Sequence, residues 1–333
     1  TGISYAIVAK QDISGATAIA DAKTKLDYVL AGDRIPGFEE CIAQGEPDNR
    51  LIWLVGEKKM SAADSAVPLF TAPAAPRIYS CALPSWWSKM AQEPQFKALP
   101  LLRIEEVQRT MKLSEVDLWR YMKTYAPRSW AESFYLVKTL ARETLDKIVG
   151  TEGGHISVLD VGSGVGGALF GVLDSLALRI KTNVQIDVVA LDGNDKALEL
   201  LGGFLETRSK IPDPALVAAR DVGVTCINKT FGEESANPSA RVFDMIVASK
   251  SLGEAGQGAF ESFLDYANAH LSENGVVIIV EVLKHEQALR NALLHVGVKS
   301  AAVSQLEVMV SICGEKGNDN EKVVVAVIHK NMF

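Results

Sequence analysis

The chain has only four cysteines in 333 residues: Cys41, Cys81, Cys226 and Cys313. They lie far apart, with no C-x-x-C pair and no histidine cluster nearby, so the local spacing that builds a zinc or iron–sulfur site is missing. Scattered thiols in a chain this long fit a reducing compartment better than a disulfide framework. Long apolar runs are missing too. Runs such as Val276 to Val280 have the length of a buried strand and fall far short of the ~20 residues that span a bilayer, so no membrane partner is expected. The N-terminus, Thr1-Gly2-Ile3, has no initiator Met and none of the basic and apolar regions of a signal peptide. It reads as a processed or trimmed chain whose targeting segment is not visible. Internal repeats are absent.

What is present is the composition of a folded protein. A hydrophobic fraction of 48% and a charged fraction of 23% exclude disorder over most of the length. The length suggests about two domains. A net charge of −7 disfavours a general nucleic-acid coat. That charge is unevenly placed. Residues 1–150 carry 19 basic and 18 acidic side chains, whereas residues 151–333 carry 15 and 23.

Residues 1–100 read as an irregular extension. Short strands are expected at 5–9 and 51–55, a modest helix at 18–30, and an Ala/Pro-rich linker or arm at 61–76. Residues 101–150 read as a helical segment. Ser114 to Asp117 and Ser129 to Glu132 resemble capping boxes, the first followed by Val116, Trp119 and Met122 at helical spacing. The second opens a helix expected to run to about Val149, on a stripe of Phe134, Val137, Leu140, Leu145 and Ile148. Its end is marked by Gly150, Gly153 and Gly154.

Residues 151–333 alternate strand and helix, as a parallel sheet with crossover helices requires. Strands are expected at 156–161, 184–191, 222–226, 242–248 and 276–282. Helices fall at 167–180, 196–208, 258–271 and 285–294, and 302–311 with 323–329 form a closing antiparallel hairpin.

The strongest chemical signal is Val158-Leu159-Asp160-Val161-Gly162-Ser163-Gly164-Val165-Gly166-Gly167. It leaves a buried strand, turns on glycines that let a ligand approach the backbone, and enters a helix whose first N–H groups are free. Such a turn alone serves dinucleotides and nucleoside-bearing methyl donors equally. Two acids shift the balance. Asp160 stands where it could meet a cationic amino group, and Asp192 ends the next strand, where a carboxylate can accept both ribose hydroxyls.

With these residues the chain resembles the class I S-adenosylmethionine-dependent methyltransferases over about 156–330. The resemblance implies a Rossmann-like α/β fold, a mostly parallel seven-stranded sheet ending in an antiparallel hairpin. It implies S-adenosylmethionine as cofactor, held by Asp160, Gly162, Ser163, Gly164, Gly166, Asp192 and Ser249. Phe243 to Ser249 matches the fourth-strand motif and Asn274-Gly275 the turn into the fifth strand. A narrower likeness covers about 118–281. Arg128 to Glu132, Gly162 to Gly164 and Val247 to Glu254 resemble the Rsm22-type mitochondrial-ribosome methyltransferase-like proteins. That likeness implies ribosomal RNA and ribosomal or assembly proteins as partners, in mitochondria or otherwise in the cytoplasm. The cysteine cluster usual in that family after the fifth strand is absent, with only Cys313 in that region, so no metal is expected.

The target atom is not legible. Neither an Asn/Asp-Pro-Pro-aromatic sequence nor a Pro-Cys pair follows the fourth strand. In that place Lys250 could hold a phosphate or carboxylate and Glu254 could be a general base, although solvated loop charges explain both. The five histidines are scattered and read as structural, and Trp86-Trp87 as a buried anchor. Arg109, Lys112, Arg120, Lys123 and Arg128 interleave with Trp119, Tyr121, Tyr125 and Trp130, an RNA-binding composition that acidic neighbours dilute. Three functions follow: a methyltransferase acting on RNA, a non-catalytic assembly component of the ribosome, and a small-molecule methyltransferase.

Overall fold

The structure is a computed structural model. It describes residues 3–10, 40–46, 51–58, 77–84, 86–87, 90, 93–102, 113–140, 142–149, 154–179, 184–210, 222–231, 241–256, 258–298, 302–312, 315–316 and 322–333. The chain falls into two compact units, Thr1–Thr71 and Ala72–Phe333. In the first, β1 (Ile3–Lys10), β2 (Glu40–Glu46) and β3 (Leu51–Lys58) form an antiparallel sheet in the order β1-β3-β2. The expected helix at 18–30 and the linker at 61–76 lie outside the described residues.

The second unit opens with β4 (Arg77–Ala82) and the short α1 (Pro94–Ala98), then α2 (Glu115–Thr124), α3 (Ala126–Thr139) and α4 (Arg142–Val149). Ser114 caps α2 as its sequence promised, its hydroxyl accepting from the Asp117 amide at 3.3 Å. Of the expected stripe, Met122 is buried and Trp119 packs against the core, while Val116 is 60% exposed and Leu118 is buried in its stead. The expected second helix is two, and it starts three residues before Ser129. Pro127 in the first turn supplies a helical φ, so Ser129 is an interior residue and no cap. The chain extends at Leu140 before α4 begins.

The sheet of this unit carries the expected order. β5 (His155–Val161), β6 (Gln185–Asp192), β7 (Val222–Asn228), β8 (Phe243–Ser249) and β9 (Leu271–Val282) are parallel, arranged β7-β6-β5-β8-β9. β12 (Lys322–His329) and β10 (Ala302–Ile312) continue it antiparallel, so the order is that of a Rossmann-like methyltransferase sheet. The two-residue β11 (Glu315–Lys316) pairs with β10. Unforeseen in the sequence, β4 joins β10 in parallel and borders the sheet with a segment far upstream.

Helices α5 (Gly167–Arg179), α6 (Asp195–Lys210), α7 (Leu252–Ala255), α8 (Ala259–His270) and α9 (Glu286–His295) connect the strands. Strand β9 begins before Asn274-Gly275, and the expected turn is instead an irregularity in its pairing with β8, between Leu271 opposite Phe243 and Val276 opposite Met245. Alternate residues of β5 feed two cores. Val158 belongs to the core that holds Trp86, Trp130 and Phe170, and Leu159 to the one that holds Phe243, Phe263 and Leu289. Trp86 and Trp87 are fully buried anchors. Among the described residues no helix is long and apolar enough to cross a membrane.

Candidate functional site

The sheet reverses its winding between β5 and β8, where the crossovers leave in opposite directions and open a crevice at the strands' C-terminal ends. A cavity of about 310 Å³ lies there. Its walls are the turn at 161–165, the end of β6 at 191–194, the segment 229–231 and the loop after β8 at 249–252, with Glu254 and Ala255. Leu113, Leu118, Tyr121 and Ser129 from the helical segment complete it.

The turn is built on positive φ. Gly162 has φ +69° and Gly164 +52°. A Cβ on Gly162 would overlap the Ser251 side chain, whose hydroxyl donates to the Val161 carbonyl at 2.9 Å. Gly164 has open space where its side chain would be, the cradle that a ligand needs. Its amide donates to Asp192 Oδ2 at 2.7 Å, and the Asn194 amide to Oδ1 at 2.8 Å. Asp192 is thereby fixed at the mouth of the turn, with lone pairs left on both oxygens. Gly166, at φ +90°, packs against Phe170 of α5 and Leu201 of α6 and serves the contact between these helices, away from the cavity wall.

Asp160 is 1% exposed, and neither of its oxygens has a hydrogen-bond partner. Burial, reinforced by the negative charge of Asp192, pushes its pKa up to about 7. Ser249 Oγ, on the cavity wall, is also buried and unpartnered. Orphaned buried polar groups are costly. Both belong to the set expected to hold the cofactor, and together with the open Gly164 they fit a ligand that brings donors.

Lys250 has φ +56°, the one non-glycine residue at positive φ among those described. Its Nζ lies 3.1 and 3.0 Å from the two carboxylate oxygens of Glu132, a fully buried residue of α3. The pair matches the Lys250 charge with a carboxylate of the chain itself. Glu254 does line the cavity. The loop itself is held by Glu281, which is 1% exposed and accepts from the Leu252 and Gly253 amides at 2.9 and 3.2 Å. Burial raises its pKa to about 7.

The cations expected to touch RNA are spent internally where they are described. Arg120 pairs with Asp117 at 2.9 Å and donates to the Leu101 carbonyl, and Lys123 donates to the carbonyls of Lys97 and Leu99. Arg128 is 8% exposed. Arg109 and Lys112 lie outside the described residues. The aromatics are occupied as well: Trp119 packs edge-on to Phe96 and Phe204, and Trp130 is buried. None of the histidines lines the cavity, and no cluster of His, Cys, Asp or Glu among the described residues could hold a metal. The sequence did not point to Tyr121, Ser129 or 229–231 as cavity walls. The sequence reads Ser129 as a helix cap and Tyr121 as part of an RNA-binding composition, and 229–231 carries no motif; the packing of α2 and α3 and the exit of β7 bring them there.

Residues 131–304 match the model of the methyltransferase domain family, and the chain belongs to that family. Its cofactor is S-adenosylmethionine. No curated protein matches the chain. Among solved structures it is similar to the precorrin-6y C5,15-methyltransferase of Geobacter metallireducens, at 18% identity over 57% of this chain and 87% of that one, with a TM-score of 0.37. It is similar to an rRNA methylase of Streptococcus thermophilus, at 12% identity over 56% and 93%, TM-score 0.36. A third is the plantazolicin methyltransferase BpumL, solved with SAH, at 13% identity over 68% and 97%, TM-score 0.40.

Proposed function

We propose that the protein is a catalytically competent methyltransferase rather than a docking component that only keeps the fold. One observation carries this reading: the buried, unpartnered Asp160 at the head of an intact glycine turn. A domain kept only for docking gains nothing from an uncompensated carboxylate in its core. An amino group of the cofactor supplies the missing partner. Asp160 would hold that amino group, the Gly162–Gly164 backbone would lie along the methionine part, and Asp192 would accept the ribose hydroxyls. When bound, the cofactor supplies an electrophilic methyl group on a sulfonium. The chain's own work is to orient the reactants, exclude water and take up a proton.

Ribosomal RNA as substrate, mitochondrial location and a role in ribosome assembly are finer readings that rest on the Rsm22-type resemblance alone. Arg120 and Lys123, engaged with backbone carbonyls, do not support the α2 face as an RNA surface. Transfer of labelled methyl groups to a cell extract tests both levels. The wild-type chain is expected to label an acceptor and Asp192→Ala to label far less; equal labelling by the two rejects the site. Ribonuclease treatment of the extract should abolish labelling if the acceptor is RNA and leave it intact if not.

A further inference from the structure

The glycine turn is gripped from two sides. Towards β6, the Gly162 and Ser163 amides donate to the Leu191 carbonyl at 2.8 and 3.1 Å. Towards β8 the grip is Ser251. Its hydroxyl donates to the Val161 carbonyl at 2.9 Å, and its side chain fills the place of a Cβ on Gly162. Ser251 therefore touches the cradle itself, and it also lines the cavity.

The segment around Ser251 is fixed residue by residue. The Lys250 amide donates to the Val280 carbonyl of β9 at 2.7 Å. The positive φ of Lys250 is a conformation that persists where neighbours over-determine it. Beyond Ser251, the Leu252 and Gly253 amides both donate to Oε1 of Glu281, at 2.9 and 3.2 Å. A Cβ on Gly253 would overlap the His285 ring, so the backbone is closely packed there too.

The division of labour between Ser251 and Glu281 is unusual. Ser251 is the N-cap of α7, and a serine there ordinarily caps its own helix. Its hydroxyl makes no cap bond and is turned to the glycine turn instead. The first amides of α7 are satisfied by Glu281, which lies 29 residues beyond Leu252 in sequence and is 1% exposed. A buried carboxylate is a costly acceptor. Here it releases the serine for another contact.

We infer that Glu281 is a positioning residue for the cofactor: by capping α7 it frees Ser251 to hold the glycine turn. The inference rests on the methyltransferase reading above. Without the carboxylate, the Leu252 and Gly253 amides are buried with no acceptor, which is unfavourable. The Ser251 hydroxyl is placed to accept one of them, by a rotation that ends its bond to Val161. The turn, with Asp160 one residue before Val161, then loses its hold on the β8 side.

Calorimetry on the full chain with S-adenosylhomocysteine, the demethylated cofactor, tests this without an acceptor. Failure of the wild-type chain to bind removes the methyltransferase reading and this inference together. Where it binds, Glu281→Leu, which keeps the bulk and accepts no hydrogen bond, should weaken binding at least about fivefold. Glu281→Gln keeps a carbonyl oxygen for both amides and should stay within about threefold of wild type. Ser251→Ala should weaken binding at least about threefold. The double variant Glu281→Leu, Ser251→Ala should lose no more than about twofold beyond Glu281→Leu, because the two residues act in series. Urea unfolding shows whether Glu281→Leu folds; if it does not, the Gln and Ala variants decide. With wild-type binding in hand, a miss on any of these thresholds by a folded variant overturns the positioning role and leaves the methyltransferase reading standing.

Discussion

Trp130 on α3 donates its indole N–H to Asp174 on α5 at 2.9 Å, in the middle of the core. Trp86 donates to the same oxygen at 3.1 Å, and Arg208 on α6 takes the other oxygen at 2.8 Å from both Nε and a terminal nitrogen. Asp174 is 2% exposed and its pKa is raised by burial, with Arg208 and the two indoles pulling it back. One carboxylate thus ties the helical segment and the Trp86 anchor to the cofactor-binding domain. Asp174→Ala leaves Arg208 as an uncompensated buried charge and should cost about 3–5 kcal/mol. Trp130→Phe, which removes one bond to a charged group, should cost about 1.5–3 kcal/mol. Urea unfolding measures both, and a loss below about 1 kcal/mol for Asp174→Ala would show that the network is not structural.

A second prediction follows from Asp160. Its pKa is about 7 in the folded chain against an ordinary 3.8, so between these values the native state binds more protons than the unfolded one. This group's contribution to stability is therefore full below about pH 4 and is lost as the pH rises towards 7. The buried Glu281, also near 7, acts in the same sense. Cofactor binding reverses the preference, because an amino group beside Asp160 favours the carboxylate. At pH 6 binding should release up to about one proton through this group. The calorimetric heat should then differ between phosphate and Bis-Tris buffers, and Asp160→Asn should remove most of the difference. Identical heats for the wild-type chain would separate Asp160 from the ligand.

Lys250 and Glu132 give a third. Truncating Lys250 to Ala keeps the Cβ and with it the cost of the positive φ, and takes the cation away from a fully buried carboxylate, for a net loss of a few kcal/mol. The double variant Lys250→Met, Glu132→Gln should recover most of that loss. Additive losses in a double-mutant cycle would mean that the two side chains are not coupled.

Much of the cofactor domain was legible because its signals are local. β6, β8 and β9 each hold an apolar run, and the glycine turn with Asp160 names its own chemistry. The helical segment was harder. Pro127 moved the start of α3 past a persuasive Ser129 box, and the face of α2 could not be chosen until α6 and α1 packed against it. Arg120 and Lys123 looked like a nucleic-acid surface because composition does not record the carbonyls at 97–101 that they satisfy. The partner of Lys250 lies 118 residues away, a separation no motif reports.

Equilibrium binding of S-adenosylmethionine to the full chain and to Asp192→Ala tests the central claim most directly. The wild-type chain should bind one equivalent. Loss of the ribose acceptor should weaken binding by about 1–3 kcal/mol, roughly 5- to 150-fold. No binding by the wild-type chain at high micromolar cofactor, or equal affinities for the two proteins, would contradict it.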